Sequence, residues 1–431
     1  MYQRTIFPQI IHWLEMPNIV IIYGSRQVGK TTLTNEIVKH YKDTKGFSEL
    51  DILQVSGDLP NIRRALSVQN LKPLQDFVGK AKLLIIDEAQ RIENIGINLK
   101  IIYDNIPGLM IIATGSSSFD LANKINEPLT GRNIKFNLSQ LSFEELTQKT
   151  RAWDLKQNLE ELLIYGSYPK VITSETIAEK RLILSNLATD YLYKDVLEWE
   201  NIQKPELLMQ ILEYLALQIG NTVSYNNIAN NLNTNPRTVE KYINLLEQCF
   251  VIFKLRAFSR NRNNELTRSF KVYFCDLGVR NSILERFNPI NQRDDLDALW
   301  ENFCVVERLR FNSNNSKYGN YYFWRTPSGN EVDFVEDYDG RLHGFEFKYS
   351  KDKILKGSYN FVKEYPESTI EIVNKDNIDE FVIPKESGIK IDELELSKQD
   401  LREIEQSRQE ILEGNSIKGS KTLKFISKLK E

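Results

Sequence analysis

Short runs of apolar residues, separated by polar stretches, mark the first 150 positions of the chain. The clearest runs are Ile19–Tyr23, Leu83–Ile86 and Leu109–Ala113. Continuous apolar runs of this length are typical of strands that helices cover on both faces. A helix-like pattern from Thr31 to about Tyr41 follows the first run, and a further strand is predicted at Ile134–Leu138. Residues 1–150 are therefore predicted to form an α/β domain with a parallel sheet.

The pattern becomes helical in the middle of the chain. Residues 151–215 contain few Gly or Pro interruptions and are predicted to be a helical connector. Residues 216–270 then show a short helix, a turn at Asn233-Thr234 and a second helix that opens with Asn235-Pro236. The apolar run Phe250–Leu255 follows as a strand. Helix, tight turn, helix and hairpin together predict a winged helix-turn-helix.

Alternating apolar and polar positions around Asp339-Gly340 predict a hairpin within an α/β domain at residues 271–390, because Asp-Gly between such runs favours a two-residue turn. The predicted cross-strand pairs are Val332 with Phe347 and Phe334 with Phe345 on one face, and Asp333 with Glu346 and Glu331 with Lys348 on the other. Residues 391–431 are predicted to be a charged helical tail. A docking or self-association helix pair is the favoured interpretation, and its layout also looks faintly like the toxin-binding tails of small bacterial antitoxins.

The composition is that of an ordinary globular protein, with 41% hydrophobic and 27% charged residues among 431. The net charge of −3 argues against a protein that is basic throughout, so contact with nucleic acid requires a local patch. No apolar run is long enough to span a bilayer, and the N-terminus lacks the apolar core of a signal peptide. Cys249, Cys275 and Cys304 show no C-x-x-C spacing and indicate buried thiols in a reducing compartment. We predict a cytoplasmic protein without membrane contact.

Residues 24–31 read GSRQVGKT, which fills the pattern G-x-x-x-x-G-K-[ST] between a predicted strand and a predicted helix. Such a loop wraps backbone N–H groups around a phosphate at the positive end of the helix. Lys30 is expected to reach the β- and γ-phosphates of ATP, and the Thr31 hydroxyl is expected to hold Mg²⁺. The predicted nucleotide-binding residues of this loop are Gly24, Ser25, Arg26, Gln27, Val28, Gly29, Lys30, Thr31 and Thr32.

The second apolar run ends in Asp87 and Glu88, which is the Walker B arrangement. Asp87 is expected to complete the Mg²⁺ shell, and Glu88 is expected to polarise the attacking water. Ser116 follows the third run and either senses the γ-phosphate or belongs to a Ser-rich loop that caps the next helix. Arg132 either stabilises transition-state charge, in its own subunit or across a subunit boundary, or is a surface residue.

In this order, the motifs resemble a large prokaryotic (archaeal-type) family of AAA-type ATPases that carry an uncharacterised C-terminal domain. The segments in question are GSRQVGKT, LLIIDEAQ, ATGSSS, LTGR and LSQLSFEEL, with GSYPKV and YLYKDV as later landmarks. The resemblance runs from about Tyr2 to Asn377. It implies a P-loop NTPase of the AAA/ASCE class with a RecA-like parallel sheet. It also implies that Asp87, Glu88 and Ser116 join the loop in the nucleotide site, with Arg132 as a candidate arginine finger.

Asp333 directly opposite Glu346 is expected to destabilise a hairpin unless a counter-charge compensates. An acid on one strand and an acid-x-lysine on the next form the E-x-K pattern of restriction-endonuclease-like folds, whose carboxylates hold Mg²⁺. The predicted metal ligands are Glu301, Asp333 and Glu346, and the predicted catalytic residues are Asp333, Glu346 and Lys348. No proline immediately precedes Asp333. The alternatives are a solvated polar face and a nuclease-like fold that has lost its activity.

The predicted winged helix offers basic side chains that suit contacts with DNA phosphates. They are Arg237 and Lys241 on the second helix and the wing arginines Arg256, Arg260, Arg262 and Arg268. Lys271 follows these arginines in the chain. Winged helices also serve as protein–protein modules. The leading hypothesis is an AAA-type ATPase that couples ATP and Mg²⁺ binding and ATP hydrolysis to a C-terminal half acting on DNA. The alternative is a nucleotide-gated switch that binds a protein partner through an inactive nuclease-like scaffold.

Overall fold

The computed structural model describes residues 2–115, 129–189, 204–258, 269–350 and 356–383. Several positions singled out in the sequence lie outside these ranges. They are Ser116, the wing arginines Arg260, Arg262 and Arg268, the landmark at residues 191–196 and the tail at residues 391–431.

The N-terminal half is built on a parallel sheet, which confirms the predicted α/β class. Its strands are β1 Ile19–Tyr23, β2 Ile52–Ser56, β3 Leu83–Asp87, β4 Met110–Gly115 and β5 Asn133–Asn137. Their order across the sheet is β2-β3-β4-β1-β5, and each neighbouring pair is parallel. The loop after β1 therefore opens at the same edge as the carboxyl ends of β3 and β4. Ligands of open α/β sheets bind at this edge.

Five helices cover this sheet in the described residues. They are α1 Phe7–Glu15, α2 Lys30–Lys45, α3 Pro60–Leu66, α4 Leu71–Val78 and α5 Ile95–Asn105. Helix α2 extends beyond its predicted end near Tyr41, because Gly46 terminates it with a left-handed φ of 67°.

Alternate residues of β1 belong to two hydrophobic cores. Ile19, Ile21 and Tyr23 pack with residues of α3, α4 and α5. Val20 and Ile22 pack with α1 and α2 in a second core that continues through the helical region into the C-terminal half. Successive side chains of a strand point to opposite faces, so a buried strand contributes to both layers. One face of the first sheet is thus joined to the rest of the protein through a continuous apolar core.

The described residues after β5 are mainly helical; of the predicted helical connector at 151–215, the structure describes residues 151–189 and 204–215. Its described helices are α6 Phe143–Leu146, α7 Ala152–Gln157, α8 Leu159–Tyr165, α9 Pro169–Ile172, α10 Ile177–Asn186 and α11 Pro205–Leu217.

The segment predicted as a winged helix contains two helices joined by a short turn and flanked by strands. The elements are β6 Thr222–Ser224, α12 Tyr225–Asn231, α13 Pro236–Gln248, β7 Ile252–Ala257 and β8 Ser269–Phe274. Strand β8 pairs antiparallel with both β6 and β7. The Asn235 side chain accepts a hydrogen bond from the Arg237 N–H at the start of α13, which is the predicted helix cap.

The remaining elements include four strands, β9–β12, that extend the same sheet. They are α14 Leu277–Ile283, α15 Leu296–Asn314, β9 Asn320–Arg325, β10 Glu331–Tyr338, β11 Arg341–Phe347, α16 Lys356–Glu364, β12 Thr369–Val373 and α17 Ile378–Val382. The strand order is β12-β11-β10-β9-β7-β8-β6, with β7 parallel to β9. The predicted domain boundary between residues 270 and 271 therefore falls inside β8, within a continuous sheet. Side-chain periodicity does not reveal that strands on both sides of a boundary share hydrogen bonds.

The hairpin register is as predicted for its described pairs. Phe334 lies opposite Phe345 and Tyr338 lies opposite Arg341. Asp339 and Gly340 have φ values of 54° and 83°, the left-handed conformation that a tight Asp-Gly turn requires.

Gly166, between α8 and α9, lets the Asp276 side chain approach the backbone closely, which a side chain at this position would block. Its φ is +69°, and a Cβ there would lie 2.1 Å from Oδ1 of buried Asp276. That carboxylate accepts hydrogen bonds from the N–H groups of Ser167 (2.8 Å) and Val279 (3.1 Å). Asp276 thus links the entry to α9 with the start of α14, and Gly166 leaves room for it.

We expect Gly166→Ala to lower the free energy of unfolding by about 3 kcal/mol or more, because it adds a clash with a buried carboxylate to the backbone strain. Gly46→Ala is the matched control, since Gly46 has a φ of +67° and nothing within 4 Å of its Cβ position. Backbone strain alone should cost that variant about 1–2 kcal/mol. Denaturant unfolding measures both, and equal losses would contradict the structural role of the close approach.

Candidate nucleotide site and the C-terminal acidic cluster

The loop at residues 24–29 passes close to Leu138, the residue that follows β5. A Cβ at Gly24 would lie 2.2 Å from the Leu138 carbonyl oxygen, so glycine is required there for steric reasons. Gly29 has a φ of +100° and immediately precedes Lys30, the first residue of α2. The two glycines thus shape the loop and direct it into the N-terminus of the helix, where backbone N–H groups are available to an anion.

Lys30 and Thr31 occupy the positions that the motif predicts. Lys30 is buried, and its Nζ donates to the carbonyl oxygens of Gly24 (2.8 Å) and Ser25 (3.0 Å). The Thr31 hydroxyl donates to Asp87 Oδ2 at 3.0 Å. The structure therefore brings the predicted lysine, hydroxyl and carboxylate together at one edge of the sheet.

A threonine that the sequence prediction did not select completes this group. The Thr114 hydroxyl, in β4, hydrogen-bonds to Asp87 Oδ1, and the Glu88 N–H donates to the same oxygen at 3.2 Å. Thr114 is the polar residue that directly follows the apolar run Leu109–Ala113, and this position was the signal in the sequence. The prediction instead placed the sensor two residues later, at Ser116. The structure thus fixes both oxygens of Asp87.

Glu88 lies beside the loop in a left-handed conformation, with φ of 49°. The Gln90 amide donates to its carboxylate. Glu88 lines an open cleft with Arg26, Gln27, Gly29, Lys30, Thr31, Thr32, Asp58, Arg91, Pro169 and Lys170. Pro169 and Lys170 belong to α9 and were not predicted as site residues. The helical region therefore contributes to the wall of the candidate nucleotide cleft.

Val28 anchors the loop to the protein interior. Its side chain is fully buried, and its carbonyl accepts a hydrogen bond from Arg4 Nη1 at 2.9 Å. The Arg4 Nε also pairs with Glu145 Oε1 at 2.9 Å, and both side chains are buried. No local pattern in the sequence indicates that an arginine near the N-terminus supports the loop.

Arg132 lies at the opposite edge of the sheet from the loop. Its carbonyl accepts from the Ile19 N–H, at the start of β1, whereas the loop follows the end of β1. Five residues of strand separate the two edges by roughly 16 Å. The Arg132 Nε pairs with Asp104 at 2.9 Å. The prediction that Arg132 serves the nucleotide of its own subunit is therefore wrong, and a role across a subunit boundary stays a prediction.

The predicted carboxylates of the C-terminal half do assemble, together with two lysines. This acidic cluster consists of Glu301, Glu331, Asp333 and Glu346 with Lys271 and Lys348. Glu301 comes from α15, Lys271 from β8 and the remaining residues from β10, β11 and the position after β11. The Asp333 Oδ2 accepts from the Phe347 N–H at 2.9 Å. Lys348 Nζ lies 3.8 Å from both Asp333 Oδ2 and Glu346 Oε2.

Lys271 is the main counter-ion of this cluster. Its Nζ lies 2.8 Å from Glu301 Oε1, 2.5 Å from Glu331 Oε1 and 3.9 Å from Asp333 Oδ1, and only 1% of the residue is exposed. The sequence analysis listed Lys271 after the wing arginines without linking it to the carboxylates, and the structure places it inside their cluster. Glu331, which was expected to face Lys348 across the hairpin, forms an ion pair with Lys271.

The ionisation of the cluster reflects both burial and charge. Burial raises the pKa of Glu301 to about 7, although Lys271 opposes the shift. Burial and the neighbouring Asp333 raise the pKa of Glu346 to about 8. Burial alone would lower the pKa of Lys271, but Glu301, Asp333 and Glu331 outweigh it and raise that pKa above its usual range. The repulsion expected between Asp333 and Glu346 is therefore relieved by an internal ammonium and by proton uptake.

The cluster does not fit the predicted metal site. Within the part of the chain that the structure describes, no group of three His, Cys, Asp or Glu side chains is placed to hold a metal ion. The ammonium of Lys271 lies among the carboxylates to which a divalent cation would bind. The compensation that the sequence assigned to Mg²⁺ is thus supplied by a side chain from β8.

Comparison with known proteins supports the N-terminal assignment. A family described as "AAA domain" matches residues 16–147. Two families described as domains of unknown function (DUF8612 and DUF4143) match residues 156–289 and 296–390. With the parallel sheet and the loop geometry, this match shows an AAA-type P-loop ATPase domain in the N-terminal half. The C-terminal matches assign no activity.

The similar full-length proteins are themselves uncharacterised. Rv2008c of Mycobacterium tuberculosis is 26% identical over 336 residues, which are 77% of this chain and 70% of that protein. A protein of Haemophilus influenzae is 24% identical over 324 residues, 70% of this chain and 77% of that protein. Among solved structures, AMPPCP-bound DnaA of Aquifex aeolicus covers 56% of this chain and 86% of its own, with 17% identity and a TM-score of 0.28. A TM-score this low supports no structural argument.

No helix in the described ranges is both long and apolar enough to cross a bilayer.

We expect Lys271→Met to convert the acidic cluster into a divalent-cation site, because it leaves neighbouring carboxylates without their ammonium. Calorimetric titration with Mn²⁺ in the absence of nucleotide should show a site that the wild type lacks and that Lys271→Met/Asp333→Asn loses again. Without metal, Lys271→Met should lower the free energy of unfolding by about 3–5 kcal/mol, the usual cost of breaking a buried ion pair.

Lys254→Met is the control for this prediction. Lys254 is a largely buried lysine of neighbouring β7 that pairs with Glu247 at 2.9 Å, and its removal should create no Mn²⁺ site. Wild-type binding of Mn²⁺ that disappears in Asp333→Asn alone would show instead that the cluster already holds a metal.

Proposed function

We propose that this protein binds ATP with Mg²⁺ in the cleft beside Lys30 and Glu88, hydrolyses it, and couples its nucleotide state to the C-terminal half. The observation that carries the proposal is the contact between Thr31 and Asp87, which unites the two halves of the site across the sheet edge. A hydroxyl and a carboxylate are oxygen donors of the kind that Mg²⁺ prefers, so the residues fit the ion.

Each residue of the site has a distinct role in this proposal. The backbone N–H groups at the start of α2 receive the phosphates, and Lys30 exchanges its bonds to the Gly24 and Ser25 carbonyls for phosphate oxygens. Mg²⁺ neutralises phosphate charge when it is bound. Thr114 and the Glu88 N–H hold Asp87 in a fixed orientation. Glu88 orients the attacking water, since its carboxylate lines the cleft beside Lys30 and Thr31.

We expect Glu88→Gln to keep ATP affinity but to slow turnover by about 10²–10⁴-fold, because it removes a general base without removing a phosphate contact. Lys30→Ala should lose both ATP affinity and turnover. Steady-state phosphate release together with titration of a labelled ATP analogue separates these effects. Glu93→Gln is the control, since Glu93 is a nearby exposed carboxylate outside the cleft lining. Unchanged turnover in Lys30→Ala would overturn the proposed activity.

We also propose that the C-terminal half is a binding scaffold of the restriction-endonuclease-like kind rather than a cleavage centre. The support is the position of Lys271, a buried counter-ion that offsets part of the charge of the four carboxylates from inside the protein. Catalysis by metal-bound carboxylates requires those carboxylates to be available to the ion. A scaffold whose carboxylates contact an internal lysine is consistent with a switch that acts through binding.

DNA is the partner that the exposed surface of α12 and α13 favours. We propose that these helices and β6–β8 form a winged helix that contacts DNA through α13. Arg237 and Lys241 are exposed there, and α12 presents exposed Asn226, Asn227 and Asn230. Arginine, lysine and asparagine are the side chains that most often contact phosphates and base edges.

Binding of a short labelled DNA duplex, followed by fluorescence anisotropy at several salt concentrations, tests this partner. Arg237→Ala and Lys241→Ala should each weaken binding and lower the salt slope by about one, as expected for a lost phosphate contact. Lys72→Ala controls for charge, because Lys72 is an exposed lysine on α4. Binding that is equally weakened in all three variants, or no binding at low salt, would favour a protein partner instead.

A further inference from the structure

The nucleotide loop is hydrogen-bonded to side chains from outside the first sheet. The Ser25 hydroxyl lies 3.1 Å from the Tyr168 hydroxyl and 3.4 Å from the Gln140 amide nitrogen. All three residues are buried. The Ser25 carbonyl is also one of the acceptors that Lys30 must give up when it turns to a phosphate. Ser25 therefore contacts Lys30 through its main chain and the helical region through its side chain.

Gln140 continues this connection to a buried arginine. Its Oε1 accepts from Arg310 Nη2 at 3.1 Å. The same guanidinium donates to Ser167 Oγ at 2.7 Å, to the Cys275 carbonyl at 2.6 Å and to Glu307 Oε1 at 2.6 Å. Arg310 is 7% exposed. Its donors are thus distributed among the segment after β5, the entry to α9, the end of β8 and its own helix.

Helix α15 connects this arginine with the acidic cluster. Glu301 lies nine residues before Arg310 in α15, a separation of roughly 13 Å along the helix axis. Between them, Glu307 accepts from the Phe143 N–H at 2.7 Å, which fastens α15 to α6. The helix contains no Gly or Pro, so it lacks the usual causes of a kink. Arg310 and Glu301 therefore belong to one continuous helix.

Building on the proposed ATPase function, we propose that Arg310 is a positioning residue that links the nucleotide loop to α15. Phosphate binding draws Lys30 away from the Ser25 carbonyl, which changes the bonds of Ser25 with Tyr168 and Gln140. Arg310 transfers that change to α15 and to the acidic cluster at its other end. Because coupling between two sites is reciprocal, the state of the cluster also affects nucleotide affinity.

Hydrogen exchange of the full chain, with and without a non-hydrolysable ATP analogue, tests this link. In the wild type, the analogue should change amide exchange in residues 299–306 of α15 and in β10. Arg310→Lys keeps the charge but loses the branched set of donors, and Tyr168→Phe removes only the hydroxyl beside Ser25. Both variants should still bind the analogue, with affinity reduced by no more than about tenfold, the value of one hydrogen bond. Both should lose its effect on α15.

Arg308→Lys is the matched control. Arg308 is a buried arginine of the same helix that pairs with Glu336 at 2.9 Å and has no described contact with the loop network. This variant should keep the nucleotide-dependent exchange, which separates transmission from general loosening of α15. A persistent effect in Arg310→Lys, or wild-type binding without any change in α15, overturns the link alone. Failure of the wild type to bind the analogue overturns the proposed ATPase function, and with it the link.

Discussion

Buried cationic side chains set the arrangement of this protein. A charge removed from water is tolerated only when acceptors surround it, so each buried cation requires its partner segments to meet. Arg4 holds Val28 and Glu145 together, Lys271 joins Glu301 to Glu331, and Arg310 gathers acceptors from four segments. Apolar contacts pack the same helices and strands together, but because they are not directional they allow these elements to shift relative to one another. The ion and hydrogen-bond networks define which residues must face each other.

The predictions that succeeded depend on information that is local in the chain. Asp339-Gly340 fixes the turn, and the turn fixes the register of β10 and β11, since each side chain alternates faces from there. The loop from Gly24 to Thr31 is likewise a contiguous motif. Its meeting with Asp87 followed from a general property of parallel sheets, whose strand ends share an edge. For these features, the positions of the residues in the sequence are enough to infer which of them lie close together in the fold.

The errors concern partners that are distant in the chain. Lys271 precedes Glu301 by thirty positions and Glu331 by sixty, so no spacing rule connects them. Alternation along β8 allows the lysine to face either solvent or core, so the sequence alone does not place it in the acidic cluster. Arg132 was misplaced for a different reason, because it precedes the predicted strand Ile134–Leu138, and the start of a parallel strand lies at the edge opposite the loop. The boundary at residue 270 failed since β8 bonds to strands on both sides of it.

The acceptors around the two buried lysines give them opposite capacities. Lys30 donates to backbone carbonyls of its own loop, which are neutral, whereas Lys271 lies among carboxylates. Charged acceptors bind an ammonium group roughly twice as strongly as neutral ones. A phosphate can therefore draw Lys30 out of its resting contacts, while Lys271 has no comparable gain from leaving the acidic cluster. Under the proposed function, the same residue type thus forms a site that responds to phosphate in the first sheet and an internal counter-ion in the second. This contrast in acceptor charge is the physical reason to propose catalysis at the loop and a structural role for the acidic cluster.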